Sequence, residues 1–538
     1  MAETQQILRD TRTVTLATLL SRVLGYVRDL CVAILLGTSL AADAFVIAFR
    51  LPNLLRRLMA EGAMTSAFIP VFTAYRHEKT QAEAWDFARR MFWNLAAVLA
   101  GATLLGIIFA PELVRFFTLA SAEPGKWTLA VVLTRLTFPY CTLIALTALA
   151  GAILNTLRVY WLPASVPIYL NLAIIAGAAA AWVLELPEPA VALALGVVAG
   201  GMLQVLVQIP ALVRRGMPFG FRLGFGHAGV RRVARLMLPA MAGVGLYQFN
   251  VLFSTIFASQ EEGWISALYY ADRLMEIALG VYAISVATVV LPVLSQQAVE
   301  KQFEKMRQTL AFALRNVAFI VVPAAVGLMV LGEPIVRMLF EHRAFGASST
   351  ALTAWALLFY AAGLPAFAAV RIMVQGFYAV QDTVTPVRIA AVALIANLLL
   401  CALLVATPLG HGGLALATSL ASYLNLVLLL LIFRRRLGGV DEGRLALSLA
   451  RTTMAALGMG AACWWLAREF ALTTTASFPW LVGGVALTIA AGLGVYLALA
   501  WLLRADELSE FYTLVTGRQL KKKAAGVETV LPATPINH

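Results

Sequence analysis

Charge is scarce in this chain. Only 13% of its 538 residues are Asp, Glu, Lys or Arg, while 61% are hydrophobic. Soluble domains run nearer about 25% charged and about 45–50% apolar, so an ordinary soluble protein is excluded. The mean hydropathy of +0.84 agrees. Cysteine is scarce too. Cys31, Cys141, Cys401 and Cys463 fall in apolar runs, with no CxxC pair and no disulfide framework. They read as buried packing residues. The five histidines, His77, His227, His342, His411 and His538, are scattered through loops and the tail and give no metal-ligand spacing. Neither a Walker A loop nor a nucleophile elbow is present. No catalytic residue, metal or cofactor is therefore expected. No cleavable signal peptide is expected either, because the first apolar run is too long and too charged for one.

What is present is a series of long apolar runs. A bilayer core of about 30 Å needs about 20 apolar residues per helix. That measure gives fourteen spans, at 13–36, 41–74, 86–110, 129–155, 161–184, 190–213, 231–258, 266–296, 308–331, 350–378, 386–407, 412–433, 446–467 and 479–503. The expected fold class is an all-α polytopic membrane protein. The second and eighth runs are over-long, which predicts tilt, breaks or extensions past the membrane. The net charge of +13 resides mostly in alternate loops, such as Arg214, Arg215, Arg222, Arg231 and Arg232, or Arg434, Arg435 and Arg436. The intervening loops, GTSLAAD, LELPEPA, ASQEEGW and TPLGHGG, are almost free of basic residues; Arg115, Lys126, Arg337, Arg343 and Arg468 are the exceptions. Such asymmetry places both termini in the cytoplasm and assigns the positive charge to anionic lipid, not nucleic acid.

The chain repeats itself at an offset of about 222 residues. PELVRFF (111–117) matches EPIVRMLF (333–340), the stretch 192–216 matches 414–438, and Pro163 and Pro386 open the fifth and eleventh spans. Six spans per copy make the repeat parallel, with a substrate site expected between the lobes near the midplane. The expected organisation is an N-lobe over 1–220, a C-lobe over 221–440, two additional helices over 441–505 and a disordered cytoplasmic tail over 506–538.

Charges also lie inside the spans, where each costs about 2.5–3.5 kcal/mol on insertion scales. The first run holds Arg22, Arg28 and Asp29 beside Ser21. The second holds Asp43, Arg50, Arg56, Arg57 and Glu61. The eighth holds Asp272, Arg273 and Glu276. Arg22 and Asp29 are seven apart and share a helical face; Arg28 points about 120° away from Arg22. Snorkelling to headgroups, or buried pairs that only fix helix packing, would explain one or two such residues. Several arginines in three spans point instead to an anion in a cavity, because the guanidinium stays charged and bonds oxygens in pairs. A diphosphate, a phosphate with a carboxylate, and an acidic sugar all fit.

SRVLGYVRD (21–29), ADAFVIAFRLPNLLRRLMAEGAMTSAFIPVF (42–72) and YYADRLMEIALGVYAISVATVVLPVLS (269–295) closely resemble the MurJ (MviN) family, the proposed lipid II flippases of bacteria. The resemblance covers about the whole chain. It implies a member of the multidrug/oligosaccharidyl-lipid/polysaccharide exporter superfamily in the bacterial inner membrane. Two parallel, MATE-like six-helix lobes would be followed by two helices forming a groove for a prenyl tail. The implied cargo is lipid II, undecaprenyl-pyrophosphate bearing the peptidoglycan precursor, moved from the inner to the outer leaflet by alternating access. Membrane lipids and other cell-wall synthesis proteins are further partners. The resemblance assigns substrate binding to Arg22, Arg28, Arg56 and Arg273, and a functional role to Asp43. Ser21, Asp29, Asp43, Arg50, Glu61 and Glu276 are supporting or gating candidates. Some relatives carry an Asn-x-x-x-Asp pair for sodium in the eleventh span. Here that spacing reads Asn397 and Cys401, which disfavours such a site and leaves membrane potential or another ion as the coupling source. Alternatives are a flippase for another polyprenyl-linked oligosaccharide, a cation-coupled drug exporter, and a membrane enzyme acting on a prenyl phosphate.

Overall fold

The computed structural model describes residues 2–58, 64–118, 124–473 and 477–509, and all secondary structure among them is helical. In a bilayer only a helix or a closed barrel satisfies every backbone polar group, and these apolar sequences take the helical solution. The elements are α1 (Ala2–Leu36), α2 (Leu40–Leu58), α3 (Met64–Glu78), α4 (Gln81–Ile108), α5 (Ala110–Thr118), α6 (Pro124–Thr137), α7 (Pro139–Thr156), α8 (Trp161–Val183) and α9 (Pro189–Arg214). They continue with α10 (Ala228–Ala258), α11 (Trp264–Val299), α12 (Phe303–Phe340), α13 (Ala347–Ala379), α14 (Val384–Val405), α15 (His411–Leu437), α16 (Glu442–Glu469) and α17 (Phe478–Leu502).

Ten helical segments among the described residues are long and apolar enough to cross a membrane. The other four runs read from the sequence correspond to α1, α2 followed by α3, α10 and α11. Three of these runs carry Arg22 and Arg28, Arg50, and Arg273. The over-long second run is covered by two helices, α2 and α3. The fourth is two helices that meet at Phe138, where Pro139 occupies the first turn of α7 and has no N–H to continue the ladder.

Four apolar cores follow the order of the chain. Two draw mainly on α2 to α9. A third draws mainly on α11 to α15, and a fourth joins α12 to α16 and α17. Helix α10 divides its packing: Val230, Val233 and Met237 enter a core of the first half, and Ile256 and Ala258 enter that of the second. Close approach in lipid depends on small residues. At the α8–α9 crossing, a Cβ on Gly177 would stand 2.6 Å from the Ala192 carbonyl oxygen, so only glycine fits there.

The two halves interlock at the end bearing the base-poor loops. Thr38 and Ser349 share a 2.8 Å hydroxyl bond, the Leu40 N–H donates to Glu262 at 2.7 Å, and the Ala344 N–H donates to the Ile34 carbonyl at 3.3 Å. Gly37 sits at φ +60°, with the Ala344 carbonyl where a Cβ would stand.

Candidate functional site

Helices α1, α8 and α11 bring the polar cluster together. Asp29, only 4% exposed, lies at its centre. Its Oδ1 accepts from Arg28 Nη2 at 2.7 Å and Nε at 3.0 Å, and from the Tyr269 hydroxyl at 2.9 Å. Its Oδ2 stands 3.4 Å from Arg273 Nε. One carboxylate of the first half therefore answers to a guanidinium on its own helix and to another on α11 of the second half. Arg273 also pairs with Glu276 one turn on and lies 4.9 Å over the Tyr269 ring. Arg28 donates through Nη1 to Asn171 Oδ1 at 3.0 Å, and Asn171 Nδ2 donates to the Ser21 carbonyl at 3.0 Å. The guanidinium of Arg28 also stands 5.8 Å from the centre of the Phe49 ring.

Arg22 is exposed. Its Nη1 would be 4.0 Å from a Cβ placed on Gly280, so it reaches α11 as well. Arg50 of α2 donates to the Thr255 hydroxyl of α10 and lies within electrostatic range of Asp272 and Arg273. The structure thus brings together Ser21, Arg22, Arg28, Asp29, Arg273 and Glu276, with Arg50 close by. The side chain of Arg56 and the whole of Glu61 lie outside the described residues. Sequence reasoning missed Asn171 and Tyr269. Asn171 is the one polar residue in the apolar stretch YLNLAII, and that was the available signal.

Asp43 lies elsewhere. It is fully buried at the interlocked end, where Lys126, itself 3% exposed, meets it at 2.7 Å. Its oxygens also accept from the Gly263 N–H at 2.9 Å, the Ser266 N–H at 2.9 Å and the Ser266 hydroxyl at 2.7 Å. Its bonds go to the positive end of the α11 dipole and to a lysine, not to the arginines of the cluster. Sequence reasoning took Lys126 only as an exception to the loop-charge pattern.

On α14, Asn397 donates to the Asn250 amide oxygen, and the Cys401 thiol lies 3.7 Å from Asn397 Oδ1. The amide pair ties α14 to α10, and the thiol contact lies within α14. Sodium favours oxygen ligands that include carboxylates, and this set supplies no acid.

The sequence profile described as "Lipid II flippase MurJ" matches residues 32–484. A probable lipid II flippase MurJ from Vibrio cholerae is 38% identical over 518 residues, covering 93% of this chain and 96% of its own. The lipid II flippase MurJ of Burkholderia cenocepacia is 38% identical over 440 residues, covering 80% of this chain and 84% of its own. Among solved structures, a lipid II flippase MurJ in an inward closed conformation aligns with a TM-score of 0.76 at 26% identity, over 92% of this chain and 99% of that one. An inward-facing MATE-family multidrug resistance transporter of the MOP superfamily aligns at 0.64 with 15% identity, over 78% of this chain and 96% of that one, which shows a common fold.

Proposed function

The chain belongs to the MurJ family of lipid II flippases, and from that premise we propose how its charged cluster handles the cargo. It is a transporter of the bacterial inner membrane and not an enzyme, and lipid II is what it carries. Exposed Arg22, with Arg56, meets the pyrophosphate first. The pyrophosphate offers more anionic oxygens than a single carboxylate, and charge-assisted bonds to guanidinium are the strong ones. It therefore displaces Asp29 from Arg28 and Arg273. The carboxylate that Arg28 and Arg273 share across the two halves is the observation that carries this reading.

Loss of the shared carboxylate loosens the tie between the halves, and the halves rock as two lobes, 1–220 and 221–440. Helices α16 and α17 guide the prenyl tail in lipid while the headgroup crosses. Once the cargo faces outward, Asp29 and Glu276 reclaim the arginines and release it. Both termini lie in the cytoplasm. Arg28→Ala and Arg273→Ala should each abolish growth support in cells depleted of their own flippase, at normal protein levels, with lipid II accumulating on the inner leaflet. Full support by both variants would refute the assignment. Accumulation of a different prenyl-linked sugar would mark a different cargo.

The neutral Asn250–Asn397–Cys401 cluster supports coupling without sodium, and the empty carrier resets on membrane potential, worth about 2.3 kcal/mol per charge per 100 mV. Replacing sodium with choline should leave lipid II transport in reconstituted vesicles unchanged. A severalfold fall would reinstate the ion.

A further inference from the structure

The segment joining the halves, residues 215–227, runs along the end of the first half without helix or strand. Its backbone is held down on α4. Trp93 Nε1 donates to the Phe219 carbonyl at 3.1 Å, the Gly224 N–H donates to Asn94 Oδ1 at 2.9 Å, and Arg90 Nη1 donates to the Leu223 carbonyl at 3.3 Å. Phe219 packs inward, edge-on to Phe92. With the backbone so fixed, the apolar side chains that follow stay largely exposed, although the Phe221 ring also stands edge-on to Trp93 at 5.1 Å. Phe221 is 71% exposed and Phe225 53%, and Leu223 is exposed with them.

Arginines surround these rings. Arg214, Arg215, Arg222, Arg231, Arg232 and Arg235 are all exposed. No acidic residue occurs between Glu188 and Glu261. The facing carboxylate is Asp86, already engaged by Arg89, Arg90 and Arg222. Helix stability does not explain Arg231, Arg232 and Arg235, because cations in the first turns of α10 oppose its dipole. Two segments long and apolar enough to cross a bilayer end at this surface. Arg215 Nη1 donates to the Leu157 carbonyl at 3.1 Å, so the ends of α7 and α9 meet here. Tyr160 and Trp161 are exposed at the adjoining start of α8. Rings at the headgroup level beside arginines match an anionic leaflet in both polarity and charge.

We propose that the 215–227 segment and the start of α10 form a docking surface for anionic phospholipid headgroups. Phe221 and Phe225 enter the interfacial layer, and Arg231, Arg232 and Arg235 engage lipid phosphates. The leaflet then holds the first half while the second moves. The surface itself needs neither the orientation nor the transport reading, and its test is independent of both.

The purified full-length protein, stripped of lipid in detergent, is titrated with phosphatidylglycerol or phosphatidylcholine, and bound lipid is counted by mass spectrometry. The wild type should prefer phosphatidylglycerol. The Arg231→Gln/Arg232→Gln/Arg235→Gln variant should bind it at least fivefold more weakly, with phosphatidylcholine unchanged. Separately, a spin label on Phe221→Cys in vesicles containing phosphatidylglycerol should collide with oxygen more often than with an aqueous nickel complex. Undiminished phosphatidylglycerol binding, equal loss of both lipids, or a label open to the nickel complex overturns the proposal. The last of these is what a surface for a soluble protein would give. If the triple variant does not fold, the label measurement decides alone.

Discussion

Asp29 restrains two guanidinium groups at once, so removing its charge should reveal what it holds in check. Asn at this position keeps the shape and loses the anion. Hydrogen bonds to charged groups contribute about 1.5–3 kcal/mol, and about 1.4 kcal/mol is a factor of ten in affinity. Asp29→Asn should therefore bind lipid II about tenfold more tightly in detergent titrations, and support growth less well because release slows. Unchanged affinity would mean the carboxylate does not compete with phosphate. The arginines of this site were legible because a charge in an apolar run is conspicuous at any position. Their partners were not. Asn171 lies 143 residues from Arg28, and nothing in its neighbourhood distinguishes it from a packing asparagine. Lys126 was legible only as an anomaly. Its burial against Asp43 explains why a basic residue sits in a base-poor loop, as does the stacking of Arg343 4.1 Å over Trp182 and the bond from Arg337 to the Leu472 carbonyl.

Turns between helices carry the internal repeat more plainly than the helices do. Gly216 and Gly438, 222 residues apart, both take left-handed backbone at φ +90° and +86° after an arginine cluster. Arg158 and Gln381 do the same at +60° and +61°, just before α8 and α14. Helix interiors in lipid tolerate many apolar exchanges, whereas a turn with positive φ restricts the backbone. The separation of α5 from α4 at Phe109 was not legible, since α12 runs unbroken through the matching stretch. The joining segment also carries a titratable device. His227 caps α10 by accepting from the Gly229 N–H at 3.2 Å through Nδ1, which requires a neutral ring, and it packs against both Phe87 and Tyr75, which stack on each other. Burial first, and then Arg90, holds its pKa below the ordinary 6.5, while Asp86 opposes them. The unfolded segment binds the proton more readily than the docked one. The docking contribution is therefore complete above about pH 6.5 and is lost as pH falls towards the lowered value. Amide exchange across 219–226, corrected for intrinsic rates, should rise severalfold from pH 7.5 to 5.5. His227→Asn, which keeps a capping oxygen, should flatten that rise. Equal pH dependence in both proteins would remove His227 from the account.

At the scale of the whole molecule, three turns distant in sequence close one end. They lie at 37–39, 259–263 and 341–346. The repeat was legible from its offset of about 222 residues. Which end is shut was not, because closure depends on contacts such as Thr38 with Ser349 that no local pattern encodes. Alternating access requires this interlock to open once per cycle, and the transport reading can be tested on that point alone. The hydroxyl oxygens of Thr38 and Ser349 stand 2.8 Å apart across the two halves, so cysteines there are within bridging reach. The four native thiols lie in the helices and do not compete: three are buried and Cys31 is half-buried. The Thr38→Cys/Ser349→Cys protein should cross-link under mild oxidant, as seen by a shifted band on a non-reducing gel. Support of growth should fall at least tenfold and return when reductant is added. Neither single variant should respond to oxidant. A fully cross-linked population that still moves lipid II would mean the cargo crosses without this end opening, and a rocking mechanism would have to be given up for a fixed path along the helices.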